Sequence, residues 1–346
     1  MYTYTQGHSR IISSGSCIPN DIITTRELLE GAQVKERLGI SNNWLRRVTG
    51  IREKRVAAAG SLPSDMAVTA AREALERAAI GIEEIGIIIF TSATRDYLVE
   101  PSTAHVVQSK LGASNAMVFD VSNACHGFMN GIHLMDALIA TGQVRKGLVV
   151  TGEQGSRLAN LAVEQLRHSD NKQDLVDLAG GLTLGDAGAA LLMGPKTDPD
   201  SGFAGFILQS KGEYARLCYC GEENRHGPVV TDMPGIVGHT APLVSDMYRQ
   251  LMEEHLHWRT EELDKYILHQ VGATSFRLHE QHVGVPVDIM PNTVVSMGNL
   301  ITATIPVNLH NIAVNKEVEA GSKVYLSGAG SGVSISQVGL IWDMAA

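Results

Sequence analysis

Three polar residues with catalytic potential each follow an apolar run that is typical of a buried strand: Cys125, His269 and Asn299. A cysteine close to a histidine can give an activated thiolate or a proton shuttle. A neutral imidazole and an amide can also donate hydrogen bonds to an oxygen that becomes negative during a reaction. Each residue alone is compatible with a structural role, as a small core side chain, a buried histidine or a turn residue. Their shared position at strand ends favours one reaction centre.

The segment around Cys125 has the pattern of a strand, a tight turn and a long helix. Met117–Val121 is apolar enough for a buried strand, and Phe128–Ile139 repeats apolar residues at the helical period. A thiol at the start of a helix meets the positive end of the helix dipole, which favours the nucleophilic thiolate. Gly330 and Gly332 belong to a glycine-rich run, and we expect backbone N–H groups there to bind an oxyanion beside the thiolate.

Two parts of the chain repeat one another. Residues 83–90 resemble residues 261–268, and residues 147–152 resemble residues 323–328, so the spacing between the copies is almost constant. A constant spacing indicates an internal duplication, and strands that alternate with helices indicate α/β layers around mixed sheets.

The repeat predicts two similar halves. Residues 1–198 carry the cysteine, and residues 199–346 carry the histidine and the asparagine. The segment 290–311 is predicted to run strand, glycine and helix, opposite the Cys125 segment. Two halves packed face to face would bring the equivalent turns into one site.

The composition excludes several classes of function. The chain has 346 residues and a formal net charge of -9, which argues against nucleic acid because phosphate binding requires basic surface. No run of about twenty apolar residues is present, so no membrane span is predicted. The four cysteines have an irregular spacing, typical of neither a disulfide framework nor a zinc site. With no secretory signal visible, the sequence predicts a protein of the reducing cytoplasm that needs no metal or cofactor.

At these motifs the chain resembles the thiolase-fold condensing enzymes, and among them the ketoacyl-ACP synthase III branch. The matching motifs are Trp44, Thr49-Gly-Ile-Arg52, Pro101-Ser-Thr103, Asn123-Ala-Cys125, Gly185-Asp-Ala-Gly188, His269-Gln270, Gly298-Asn299 and Gly328-Ala-Gly-Ser-Gly332. The resemblance implies a duplicated thiolase fold, with layers in the order αβαβα and a mixed five-stranded sheet in each half. It also implies a homodimer and a catalytic triad of Cys125, His269 and Asn299.

The chemistry that the resemblance implies is a two-stage Claisen condensation. Cys125 takes an acyl group from one thioester, and a second thioester then attacks it as a carbanion. The implied substrates are thioesters of CoA or of an acyl carrier protein.

Within that branch, Thr91–Ala104 is most similar to the OleA-type enzymes, which join two fatty acyl thioesters head to head into a β-keto acid. The polar excursion 160–180 is also similar to theirs. In those enzymes a glutamate directly before Pro-Ser-Thr reaches across the dimer and removes the α-proton, and Glu100 occupies that position. Condensation without loss of CO2 needs such a base, whereas a malonyl donor forms the carbanion by decarboxylation. The structural alternative for Glu100 is a solvated carboxylate before a helix that starts with proline.

The predicted contact region for CoA departs from the priming synthases. They usually carry an arginine directly before Thr-Gly-Ile, where this chain has Val48. Trp44, Arg46 and Arg47 lie close by and are the candidates for contact with CoA. His126, directly after the nucleophile, either shifts the pKa of the thiol or packs against the helix, and we favour packing.

Other functions are compatible with the sequence. The nearest is a malonyl-dependent β-ketoacyl synthase III, which would retain most of its activity without Glu100. An acyltransferase that uses Cys125 and His269 to acylate oxygen or nitrogen would form no new carbon–carbon bond. A non-catalytic partner subunit is disfavoured because the three candidate catalytic residues are intact, and a Cys-His hydrolase has no further supporting motif.

Overall fold

Two five-stranded mixed sheets form the framework of the molecule in the computed structural model, which describes residues 2–221 and 227–344. The strands are β1 (Thr3–Gln6), β2 (Ser9–Cys17), β3 (Asp21–Thr24), β4 (Glu53–Val56), β5 (Ile87–Thr91), β6 (Met117–Val121), β7 (Gly147–Gln154), β8 (Asp186–Pro195), β9 (Gly202–Ser210), β10 (Cys218–Cys220), β11 (Val229–Thr231), β12 (Lys265–Leu268), β13 (Lys323–Gly330) and β14 (Ser334–Ile341). The first sheet has the strand order β2-β8-β7-β5-β6 and the second β1-β9-β14-β13-β12.

Helices connect and cover these strands. They are α1 (Thr25–Gly31), α2 (Val34–Leu38), α3 (Trp44–Thr49), α4 (Pro63–Ala78), α5 (Thr103–Leu111), α6 (Gly127–Ala140), α7 (Gly155–Arg167), α8 (Lys172–Asp177), α9 (Ala179–Leu182), α10 (Met233–Arg249), α11 (Thr274–Val283), α12 (Val294–Met297) and α13 (Thr304–Val314). A π-helical turn, Gln250–Leu256, continues α10. Of the helices in the described residues, none is long and apolar enough to cross a membrane.

The layers follow one another as helix, sheet, helix, sheet, helix. α6 and α13 lie between the sheets, where Phe128 and Leu309 share one buried cluster with Ile89 and Leu326. α4 and α5 cover the outer face of the first sheet, and α10 and α11 cover the outer face of the second. β5 is buried on both faces, which explains its unbroken apolar sequence. This order and the two mixed sheets confirm the predicted fold class.

The internal repeat is visible in the strand pairing. A short 3₁₀ turn precedes both β5 and β12, and these strands pair in parallel with β7 and β13 respectively. β8 and β14 then pair antiparallel with β7 and β13. The division of the chain after residue 198 remains a prediction, and β1 from the start of the chain is an edge strand of the second sheet.

The prediction of a strand at the start of segment 290–311 is wrong. Its first residues lie in no helix or strand, and Pro291 has no N–H for a strand ladder. The buried side chain of Gln270 satisfies this backbone instead. Its Oε1 accepts from the N–H groups of Thr293 and Val294 at 3.1 Å each, and its Nε2 donates to the Pro291 carbonyl at 2.7 Å. Within the described residues, the second sheet therefore has no counterpart of β6, and β1 is added at its opposite edge.

The excursion 160–180 is helical, as predicted, and comprises most of α7 together with α8 and the start of α9. Leu166 and Leu175 of this excursion pack in a buried cluster with Leu29 and Leu45 of α1 and α3. The excursion therefore forms, with α1–α3, a separate helical layer beside the first sheet.

Candidate active site

Cys125 lies in the tight turn between β6 and α6. The preceding residue, Ala124, has a left-handed backbone with φ of 43°, which non-glycine residues adopt mainly where the surrounding structure holds them. Asn123 braces the turn, because its Nδ2 donates to Asn130 Oδ1 at 2.8 Å and to Ser334 Oγ at 3.2 Å. The thiol is thereby held in place just before the first turn of α6.

Two glycines allow the close packing around this turn. A Cβ on Gly131 would lie 2.6 Å from Thr91 Cγ2, so α6 packs directly onto the first sheet. A Cβ on Gly330 would lie 2.7 Å from the backbone nitrogen of His126, so β13 passes directly beside the residue after Cys125. Since any larger side chain would push these elements apart, the glycine of β13 is needed for the second sheet to reach the cysteine turn.

His269 follows β12, and its N–H donates to the Ser327 carbonyl on β13 at 3.0 Å. Its Nε2 is buried and has no hydrogen-bond partner among the described residues. Burial lowers the pKa of His269 to about 4, and the nearby His126 adds to the shift, so the ring is neutral at physiological pH. A buried nitrogen without a partner costs free energy, which a bound substrate atom would recover.

Asn299 lies between α12 and α13, and two backbone hydrogen bonds hold it against the first half of the chain. Its N–H donates to the Thr183 carbonyl at 3.0 Å, and its own carbonyl accepts from Gly185 N–H at 2.9 Å. The side-chain Oδ1 accepts from Ile301 N–H at 2.9 Å. Because the oxygen is occupied in this way, the amide NH2 is left to donate into the cavity that Asn299 lines.

A buried lysine supports the asparagine turn. Lys54 is 1% exposed, its Nζ donates to the Leu182 carbonyl at 3.3 Å, and its stem packs against Gly298. Burial lowers the pKa of Lys54 to about 7, an effect that Asp186 opposes. Lys54 therefore links the strand β4 to both segments that position Asn299.

Cys125, His269 and Asn299 line one cavity of about 1040 Å³. Its walls are mainly apolar and come from the loop after β5, from α7, from the β10–β11 pair and from α10 and α11. Leu98 and Arg157 line the cavity and are exposed, so they mark where it opens to solvent. The structure therefore brings the three predicted residues together in a space large enough for a long apolar substrate.

The electrostatics of Cys125 differ from the sequence expectation. Burial raises the pKa of this thiol well above its ordinary value, and Cys218 and Glu153 raise it further. Desolvation of the thiolate opposes the stabilising effect of the helix dipole and outweighs it here. The thiol is neutral in the free protein and must lose its proton as it attacks.

Glu153, at the end of β7, joins the two loops that flank the site. Its fully buried carboxylate accepts from the N–H groups of Ala93 and Thr94 at 2.9 and 3.1 Å and from the Thr302 hydroxyl at 2.5 Å. Burial raises the pKa of Glu153, and these hydrogen bonds oppose the rise. The carboxylate thereby fixes the start of the loop that leads to Glu100 against the segment that follows Asn299.

Replacing Glu153 with glutamine should lower the free energy of unfolding by about 1–3 kcal/mol, because an amide NH2 would face N–H donors that the carboxylate now satisfies. Chemical denaturation measures this difference. Glu76→Gln, at an exposed position of α4, is the matched control and should change stability by less than about 0.5 kcal/mol. Equal stability of the two variants would mean that the carboxylate network is dispensable.

The remaining predicted residues lie outside the cavity wall, apart from Gly330. Gly332 does not line the cavity, and Glu100 is exposed and does not line the cavity of its own chain. Trp44 and Arg47 do not line it either, and Arg46 lines a separate depression of about 450 Å³.

His126 packs as favoured from the sequence. It is 2% exposed, its Nδ1 is 3.0 Å from Asn130 Oδ1, and its ring lies against Gly328 of β13.

Sequence reasoning missed several residues of the site. Arg157 is a basic residue at the cavity opening, whereas the sequence predicts contact with CoA for Arg46 and Arg47. Glu153 could have been predicted from the sequence. It is a polar residue at the end of a strand that is buried on both faces, as His269 is at the end of β12. Cys218 lines the cavity through the β10–β11 pair, and no local pattern places that pair beside Cys125.

Comparisons with known proteins agree with this geometry. The family 3-oxoacyl-[acyl-carrier-protein] synthase III matches residues 119–212, and the C-terminal part of that family matches residues 253–342. An acyl-CoA:acyl-CoA alkyltransferase of Xanthomonas campestris is 32% identical over 92% of this chain and 94% of its own length. A β-ketoacyl-[acyl-carrier-protein] synthase III of Laribacter hongkongensis is 29% identical over 94% of this chain and 96% of its own length.

Solved structures of Xanthomonas campestris OleA have the same fold. A cysteine-to-serine variant with bound lauric acid and lauroyl-CoA has a TM-score of 0.89 and 30% identity, and the match covers 97% of this chain and 99% of that one. A glutamate-to-alanine variant has a TM-score of 0.90 and 30% identity, with 97% and 98% of the two chains covered. The resemblance drawn from the motifs is confirmed: the chain belongs to the 3-oxoacyl-[acyl-carrier-protein] synthase III family of thiolase-fold acyltransferases and is similar to OleA over nearly its whole length.

Proposed function

We propose that the protein condenses two fatty acyl-CoA molecules into a β-keto product through an acyl group bound to Cys125. The observation that carries this proposal is the cavity itself, in which a half-buried thiol, a neutral histidine and an amide NH2 share one large, mainly apolar space. The printed name of the Xanthomonas relative, acyl-CoA:acyl-CoA alkyltransferase, supports the choice of two acyl-CoA substrates.

In the first stage, the Cys125 sulfur attacks the thioester carbonyl, and the carbon–sulfur bond to CoA breaks. The thiol proton passes to His269, which is neutral and whose Nε2 has no partner among the described residues. From there it passes to the departing CoA thiolate, so that free CoA and acyl-Cys125 result. Backbone N–H groups of Cys125 and of the adjacent Gly330 region are the proposed donors to the tetrahedral oxyanion.

In the second stage, a second acyl-CoA loses a proton from its α-carbon and becomes an enolate. The amide NH2 of Asn299 donates to the enolate oxygen. His269 donates to the same oxygen once its ring proton has moved from Nδ1 to Nε2, the nitrogen that accepted the thiol proton in the first stage. The carbanion attacks the acyl carbonyl on Cys125, a carbon–carbon bond forms, and the cysteine leaves as a thiol after reprotonation. Hydrolysis of the remaining CoA thioester by water gives the β-keto acid.

Glu100 of a partner subunit is the proposed base for the α-proton. The loop that carries it exposes Tyr97, Leu98 and Val99, which are 51%, 70% and 81% exposed. β6, close to this loop, pairs only with β5 among the described strands, so its other edge is open. A homodimer that buries this loop and this edge against their copies would bring each Glu100 to the cavity opening of the other subunit.

The CoA end of the substrate is proposed to bind where the cavity opens. Arg157 is exposed there, and Arg95 also lines the cavity, so both can meet phosphate groups. These phosphate groups are those of CoA or of the prosthetic group of an acyl carrier protein.

A cytoplasmic location of the protein stays a prediction.

A decarboxylating β-ketoacyl synthase that uses a malonyl thioester is the second candidate. The match to the synthase III family model favours it, as does the exposed position of Glu100 outside the cavity of its own chain. In that reaction His269 and Asn299 would stabilise the carbanion formed by loss of CO2, and Glu100 would be unnecessary.

The proposal is tested by the intact mass of the protein after incubation with saturated acyl-CoAs of increasing length. A mass increase of one acyl group that is absent in Cys125→Ala is expected, with long chains preferred. A preference for the shortest donors would favour the priming synthase. No adduct from any CoA or carrier-bound donor would reject the acyl-enzyme.

Replacing Asn299 with alanine should lower the rate of condensation by about 10²–10³-fold, because one donor to the enolate oxygen is lost. Acylation of Cys125 should change much less, since the enolate forms only in the second stage. Single-turnover acylation and steady-state product formation separate the two. Asn20→Ala, at an exposed position, is the control. An equal loss in both stages would assign Asn299 a structural role only.

A further inference from the structure

The cavity has one wall on α10 and one on α11, and these two walls differ in polarity. The α10 wall is mainly apolar, with Thr240 as its polar residue; its apolar residues are Met233, Ile236, Val237, Ala241 and Val244. The α11 wall carries Ser275, Leu278, His279 and His282, which the helical spacing places on one face. A purely hydrocarbon occupant would match the α10 wall and leave the polar groups of α11 without partners.

His279 is the polar group of this wall with the most defined geometry. Its Nδ1 lies 2.9 Å from the hydroxyl of Tyr266, which is fully buried beneath it in β12. Burial lowers the pKa of His279 to about 4, and His282 adds to the shift, so the ring is neutral and carries one N–H.

The hydrogen bond to Tyr266 leaves one ring nitrogen of His279 for the cavity. Because the Tyr266 hydroxyl is the partner of Nδ1, Nε2 is the nitrogen left for an occupant. When Tyr266 donates to Nδ1, the single ring proton resides on Nε2.

We propose that Tyr266 donates to His279 Nδ1 and that His279 Nε2–H binds an oxygen atom carried along the acyl chain, a hydroxyl or keto group, so that this part of the cavity selects oxygen-bearing acyl groups over plain alkyl chains. The inference rests on the proposed function, because it assumes that this cavity binds the acyl chain of the substrate. The physical basis is a desolvation cost: a hydrocarbon chain that covers the His279 N–H leaves this donor without an acceptor. An oxygen at the right position along the chain accepts from the N–H and avoids this cost.

Binding of free fatty acids to the full-length protein tests the proposal without any chemical step. Calorimetric titrations compare a saturated fatty acid with acids of equal length that carry one hydroxyl at successive positions. One position should bind about ten-fold tighter than the plain acid, the effect of one hydrogen bond in a desolvated site. His279→Phe should abolish this preference, and His279→Gln, which keeps an N–H donor, should retain part of it.

Two further variants separate recognition from packing. Tyr266→Phe removes the hydrogen bond to His279 Nδ1 outside the cavity and should weaken the preference without changing the affinity for the plain acid. His282→Phe, on the same helix face, should leave the preference intact. If no hydroxyl position is preferred, or if His279→Phe keeps the preference, the proposal is overturned.

The pantetheine arm of CoA also carries oxygens and is the other possible source of the acceptor. Titration of pantetheine distinguishes the two, because a loss of pantetheine affinity in His279→Phe with no hydroxyl preference in the wild type would reject the acyl oxygen. Absence of an acyl-enzyme in the mass experiment would reject the proposed function, whereas the fatty acid titrations would still decide the role of His279.

Discussion

Replacing Cys125 with alanine should abolish acyl transfer, with product formation falling by roughly a million-fold, as for other nucleophiles of covalent mechanisms. The physical reason is that every later step acts on the thioester that this sulfur forms. The thiol is fixed by the Ala124 turn and faces the same cavity as His269. Steady-state product formation from a labelled acyl-CoA measures the loss, and single-turnover labelling of the protein measures the missing intermediate.

Cys218 offers a matched control, since it is a second free thiol that lines the same cavity. Cys218→Ala should retain most of the activity. An acyl adduct that persists in Cys125→Ala and is absent from Cys218→Ala would show that Cys218, in the β10–β11 pair, is the nucleophile.

Replacing Glu100 with glutamine should lower condensation by about 10²–10⁴-fold, the usual effect of losing a general base. Acylation of Cys125 should stay within a few-fold of wild type, because no α-proton is removed in that stage. Acyl-enzyme should therefore accumulate in the variant, and its intact mass together with the rate of product formation measures this. Glu53→Gln, at a half-buried position in β4, serves as a control for a carboxylate loss remote from the cavity.

A mixture of Cys125→Ala and Glu100→Gln chains tests whether the base acts across a dimer. If the base comes from the partner, each mixed dimer has one complete site, and an equal mixture should recover about a quarter of the wild-type activity. A base that acts within its own chain predicts no recovery. Full activity of the Glu100 variant with a malonyl donor would favour the decarboxylating synthase.

Much of the site was predictable because its main residues follow strands that can be recognised in the sequence as apolar runs. Cys125 lies in the turn after β6, and His269 comes directly after β12, which is the equivalent of β5 in the repeat. The ends of such strands lie at one edge of a sheet, so two halves packed face to face bring the two turns together. The αβαβα order followed in turn from the resemblance carried by the motifs.

The parts that were missed depend on packing between distant segments. The strand expected near Pro291 is replaced by hydrogen bonds from the Gln270 side chain, which no periodicity reveals. The raised pKa of Cys125 comes from burial, a property of the assembled cavity. Lys54, from β4, supports the Asn299 turn, and Arg157, from α7, lines the cavity. The residues next to them in the sequence contain no pattern that indicates either role.

The most direct test of the central claim is the product formed from one saturated acyl-CoA as the only substrate, with the α-carbons labelled with deuterium. The account predicts a β-keto product with two acyl chains, with one α-deuterium lost to solvent from the attacking chain and no requirement for malonyl-CoA. Product that appears only when malonyl-CoA is added, with release of CO2 and no loss of deuterium, would contradict the account.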